Sequence, residues 1–178
     1  MSEIVESAKS WDQYFLEGAA HKSSKSKDPS TKAGSVIVRP DMSECSSGMN
    51  GLPRGVEDTI RRLEDRDLKY KMCIHAETNA ILFSNEKIEG YTVYVWPFPP
   101  CSVCAAYLIQ KRVGRIVAPA NFESDRYIRW KADFDLAEEM YAEAREKGID
   151  IQTDFIDHND PMIEQVKKFA QVMDLSMP

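Results

Sequence analysis

A chain of 178 residues with 43% hydrophobic and 29% charged residues is long enough to bury one core and too apolar to stay disordered. Its formal net charge of −6 repels a long polyanion, so extended nucleic acid is disfavoured as a partner. No apolar run approaches the ~20 residues that cross a bilayer.

The N-terminal stretch MSEIVESAKSWDQYF has acids and no uninterrupted apolar segment, unlike a secretory signal. A cytoplasmic location is therefore expected, with Cys45, Cys73, Cys101 and Cys104 as thiols or metal ligands rather than disulfides. Ile4, Ala8, Trp11, Phe15 and Ala19 recur at helical spacing and predict an amphipathic helix over about 3–20. The lysine-rich segment 21–32 follows, punctuated by Asp28-Pro29. Residues 35–39 and about 43–47 read as a hairpin turning at Pro40-Asp41, and 48–55, with three glycines and a proline, as a loop.

The charge-dense run 56–71 reads as a surface helix or insertion. A helix from His75 to about Asn85 precedes the strongest strand, 91–96, and the bend PFPP at 97–100. Cys101 to Arg112 reads as a helix and 115–119 as a strand. Between 124 and 147, Tyr127, Trp130, Phe134, Ala137, Tyr141 and Ala144 form a helical stripe closed by Gly148. A strand at 149–155 and a helix at about 160–173 finish the chain. Helices alternating with strands predict one domain over 1–178, an α/β sandwich around a mixed sheet.

Two of these helix starts carry chemistry. Cys101 and Cys104, three apart after Pro100, put two sulfurs on one helix face, where the helix N-terminus favours thiolates. His75 is a candidate third ligand, and catalytic zinc commonly keeps three protein ligands and one open position. Glu77 lies nearly opposite His75 on an ideal helix. The two share a site only if the helix begins there and is approached end-on, which makes Glu77 a candidate proton carrier rather than a ligand.

A His-x-Glu followed by Pro-Cys-x-x-Cys is the signature of zinc deaminases. With it the chain resembles the cytidine/deoxycytidylate deaminase superfamily, and more narrowly the deoxycytidylate (dCMP) deaminases. The narrower likeness rests on 26-SKDPSTKAGSVIV-38, on 48-GMNG-51 with Pro53 and Gly55, on 69-KYKMCIHAETNAI-81 and on 92-TVYVWPFPPCSVCAAYLIQ-110. The resemblance implies a cytidine deaminase-like three-layer α/β/α sandwich with a five-stranded mixed sheet. It implies His75, Cys101 and Cys104 as ligands of one catalytic Zn2+, Glu77 as proton shuttle, and hydrolysis of dCMP to dUMP and ammonia, supplying thymidylate synthesis.

Ser26, Lys27, Asn50 and Phe98 are then the expected substrate contacts, with the lysines cradling the phosphate and Phe98 lining the base pocket. The family's control by dCTP and dTTP maps to Asn50 and Gly51, with Mg2+ accompanying the effector, although Met49 stands where that loop usually has tyrosine. Homo-oligomers, often hexamers, are also implied. Two rival readings remain. One is a deaminase of cytidine or CMP, 5-substituted dCMP, guanine or transfer-RNA adenosine. The other is a non-catalytic zinc or nucleotide-sensing module, for which Cys73 is the local candidate fourth ligand.

Overall fold

The computed structural model describes residues 8–175. Five strands, β1 (Gly34–Val38), β2 (Glu44–Met49), β3 (Thr92–Trp96), β4 (Arg115–Ala120) and β5 (Gln152–Asp157), form one sheet in the order β2-β1-β3-β4-β5. The pairings β1–β2 and β1–β3 are antiparallel, and β3–β4 and β4–β5 parallel, so the sheet is mixed as expected.

Period-two alternation assigns its two faces. Ile37, Val93, Val95, Ile116 and Ala118 pack towards α4 (Ala76–Phe83), α5 (Ser102–Gln110) and α6 (Asp125–Glu146), whose Ala80, Leu108, Ala137 and Tyr141 complete that core. The intervening Val36, Val38, Tyr94, Trp96 and Val117 pack on the opposite layer. There α1 (Trp11–Ser23) and α7 (Pro161–Leu175) supply Phe15, Leu16, Ala19, Ile163 and Val166. The result is the three-layer α/β/α sandwich. Fully burying one such branched or aromatic side chain stabilises the fold by about 1.5–3 kcal/mol.

Several element ends differ from the periodicity. Residues 3–7 of the first expected helix lie outside the described residues; within them the helix starts at Trp11, because the Ser10 hydroxyl accepts the Gln13 N–H as an N-cap. The run 56–71 is two short helices, α2 (Ile60–Glu64) and α3 (Arg66–Met72), divided at Asp65, whose side chain caps the second. The last strand begins at Gln152 instead of 149. The amides of Gly148 and Ile149 close the end of α6 on the carbonyls of Arg145 and Ala144, so those residues cannot yet join the sheet. No described helix is long and apolar enough to cross a membrane.

One glycine sets the distance between the sheet and the helix that carries His75. A Cβ at Gly48, on edge strand β2, would lie 2.5 Å from the Ala80 backbone nitrogen and closer still to the Ala76 carbonyl. Only the missing side chain lets α4 lie flat on the sheet here. The segment expected to be all loop thus contributes Gly48 and Met49 to β2.

Candidate metal and catalytic site

Both candidate segments leave extended backbone just before their helices. Residue 74 pairs with Gly51 in an isolated bridge, Ile74 N–H to Gly51 carbonyl at 2.9 Å and the reverse bond at 3.1 Å. His75 then occupies the N-cap of α4 with φ −70° and ψ 158°, so it is not on the helical wheel at all. That resolves the opposition between His75 and Glu77: the imidazole leaves from the cap and the carboxylate from the first turn. β3 ends in a cis Trp96–Pro97 bond, and residues 97–100 deliver Cys101 to the N-cap of α5 with φ −69° and ψ 169°. Neither side chain makes a cap hydrogen bond. Both turn instead towards each other.

The His75 Nδ1 lies 3.4 Å from the Cys101 sulfur and 3.4 Å from the Cys104 sulfur. All three donor atoms fall within 4.8 Å of one another, and the Cys73 sulfur is outside this group. Around a tetrahedral zinc ion, bonds of about 2.0–2.1 Å to nitrogen and about 2.3 Å to sulfur put N and S about 3.6 Å apart. The donor set therefore fits zinc in chemistry and in spacing. Two helix N-termini converge on the same point and favour the two thiolates.

A hydrogen bond from Cys104, with further help from His75, holds the Cys101 thiol down at about 4, and the same sulfur–sulfur bond pushes Cys104 up. The bond to Cys101 raises His75 to about 9, against the opposing effect of burial. Glu77 is buried and lies beside Cys104, which hydrogen-bonds to it; burial pushes its carboxyl up to about 7. A carboxyl in that range exchanges its proton close to neutrality.

Supporting contacts fix this group. The Thr78 hydroxyl lies 3.7 Å from the Cys104 sulfur, and Ser102 donates to Asp133 at 2.7 Å, tying the start of α5 to α6. Trp130 of α6 meets the His75 ring edge-on at 6.1 Å and Tyr70 at 5.6 Å. Tyr127 and Tyr141 of the same stripe are core residues, not surface ones.

A cleft opens over the cluster, lined by His75, Glu77 and Cys101 together with Asn50, Phe98 and Trp130. Phe98 is held by edge contacts to Phe122 at 5.2 Å and Tyr127 at 5.6 Å. Asn50 both lines the cleft and braces it. Its carbonyl oxygen accepts the Ala33 N–H at 2.8 Å and its amide donates to the Thr31 carbonyl at 2.9 Å. Gly51 sits in the bridge to Ile74. Ser26 is buried and donates to the Asn50 carbonyl at 2.9 Å; Lys27 is exposed and paired with Asp58 at 2.6 Å. Neither of these two lines the cleft.

What sequence reasoning missed is the buried pair behind the loop and one helix cation. Lys69 reaches Asp28 at 2.9 Å and Ser30 at 3.1 Å, both carboxylate and ammonium being buried. Arg129 of α6 lines the same cleft. Lys69 stood within a recognisable Lys-Tyr motif, whereas Arg129 had no local signal.

Residues 9–120 match the family described as the cytidine and deoxycytidylate deaminase zinc-binding region. An Aliivibrio fischeri protein described as an uncharacterized deaminase in the luxG 3′ region is 37% identical over 134 residues, covering 75% of this chain and 88% of that protein. The deoxycytidylate deaminase of Mus musculus is 36% identical over 123 residues, covering 66% of each chain. In structure, the dCMP deaminase of cyanophage S-TIM5, solved with dCMP and dUMP, superposes with a TM-score of 0.58 at 22% identity. That match covers 79% of this chain and 94% of the phage protein, and it shows the same fold.

Proposed function

We propose that this chain, which belongs to the cytidine and deoxycytidylate deaminase zinc-binding family, hydrolyses dCMP to dUMP and ammonia. One observation carries the reading: three zinc-type donors within 4.8 Å of one another, beside a buried carboxyl, at two converging helix starts. The similarity to a deoxycytidylate deaminase at 36% identity supports dCMP as the substrate.

His75 Nδ1 and the sulfurs of Cys101 and Cys104 would hold the ion. When bound, zinc supplies Lewis acidity that lowers the pKa of water towards neutrality. Glu77 moves the protons. Its carboxylate takes a proton from the water that adds to C4 and delivers it to N3 of the pyrimidine; it then takes the remaining proton of the new C4 hydroxyl and gives it to the exocyclic amine, so that the C4–N bond breaks and ammonia leaves. Phe98 walls the base, whose flat face suits an aromatic neighbour. Burial of Glu77 excludes bulk water, so the proton it carries goes to the base.

A deamination panel of dCMP, CMP, deoxycytidine and 5-methyl-dCMP, with and without dCTP or dTTP plus Mg2+, tests this reading. Cytosine absorbance is expected to fall fastest with dCMP. Preferred turnover of CMP or 5-methyl-dCMP transfers the activity to that rival substrate, and no turnover of any monophosphate contradicts the reading. The proposal includes a cytoplasmic homo-oligomer, hexamer favoured, in keeping with four free cysteines. Effector control at the Asn50–Gly51 loop is read in the same panel as a change in the shape of the dCMP saturation curve.

A further inference from the structure

A nucleotide monophosphate approaches an acidic protein, and with a net charge of −6 the cleft needs a local cation to accept it. The lysine cluster of 21–32 supplies none at the zinc-ligand cleft. Lys27 is bound to Asp58 and Lys22 to Glu44 at 3.3 Å, and neither lines that cleft. Two cations do line it, Lys69 and Arg129. Lys69 is buried and held between Asp28 and Ser30, so its charge is already neutralised.

Arg129 differs in each respect. It is exposed, and among the described residues it has no carboxylate partner. It sits in the second turn of α6, next to Trp130, whose ring touches the ligand His75. The wall that positions the metal ligand thus also carries a guanidinium at the cleft. Thr31, from the loop braced by Asn50, lines the same cleft. Its hydroxyl makes no hydrogen bond among the described residues, although its backbone N–H is held by Asp28. A planar fork of N–H donors and an unbonded hydroxyl lining one cleft form a recognition set for a phosphate.

We infer that Arg129, with the Thr31 hydroxyl in the same cleft, binds the 5′-phosphate of the substrate and makes the enzyme selective for nucleotides over nucleosides. This rests on the dCMP reading and assigns the phosphate contact to a helix cation outside the lysine cluster. The exposure of Arg129 tempers the size of the effect, because a solvated charge pair is weaker than a buried one.

Steady-state kinetics on dCMP and the Kd of dUMP, measured for wild type, Arg129→Ala and Arg129→Lys, test the assignment. Arg129→Ala is expected to raise KM for dCMP and Kd for dUMP about 10- to 100-fold, with kcat and bound zinc close to wild type. Arg129→Lys recovers part of the loss, since lysine keeps the charge without the fork. A dUMP Kd within about twofold of wild type in Arg129→Ala overturns the assignment. So does a fall in kcat or zinc content that parallels the loss of affinity, because that marks a structural role. A wild-type protein inert towards dCMP contradicts the function itself, whereas an active one with an indifferent Arg129→Ala variant contradicts this assignment alone.

Discussion

Glu77→Gln is expected to lower kcat for dCMP by about 10²- to 10⁴-fold while the protein keeps its zinc. Gln has nearly the same volume as Glu, so packing in the buried first turn of α4 is retained. What it loses is the exchangeable proton. The carboxyl sits near neutrality because burial raises it, and an amide cannot substitute for that. Zinc content by metal analysis and kcat by dUMP formation separate the two roles. Retained turnover with retained zinc removes Glu77 from the mechanism. Lost zinc shows instead that the residue helps hold the metal.

The second large effect falls on stability. Lys69→Ala leaves the Asp28 carboxylate, 8% exposed, without its cation. Removing one partner of a buried ion pair costs about 3–5 kcal/mol, read as a lower midpoint in urea unfolding. Asp28 also accepts the Ser30 and Thr31 N–H groups at 2.7 Å and 3.1 Å, so the loop that lines the cleft loosens with it and KM rises. The double variant Lys69→Met with Asp28→Asn should be more stable than Lys69→Met alone, since no unpaired charge remains. Equal stability of the two would mean that the pair contributes nothing.

Much of the fold was legible because apolar patterning is a local signal. Val36 to Val38 and Val93 to Trp96 announce strands buried on both faces, and the 127–144 stripe announces a packed helix. The candidate metal donors were legible because their spacing is short: Cys101 and Cys104 lie on one helix start, and His75 opens another. The end-on approach that reconciles His75 with Glu77 follows from the ordering of apolar residues after Glu77, and the N-cap geometry of His75 bears it out.

Other features depend on hydrogen bonds and packing that a hydropathy pattern does not carry. The strand expected from 149 starts later because Gly148 and Ile149 are used to close α6, a competition invisible to a hydropathy pattern. The split of 56–71 turns on the Asp65 cap in a run where little is buried. The substrate side of the cleft was least legible. Lysines adjacent in sequence attract notice, yet Lys27 is paired with Asp58, while Arg129 reaches the cleft only because α6 packs across the start of α5.

Hydrolytic deamination draws the new oxygen of the product from water, so the origin of that oxygen is the decisive observation. The zinc-loaded protein is incubated with dCMP in water enriched in heavy oxygen, and the nucleotide product is weighed by mass spectrometry. One heavy oxygen in each dUMP, with an equimolar amount of ammonia, is the predicted result. Unchanged dCMP after prolonged incubation, in a protein carrying its full zinc complement, would contradict it.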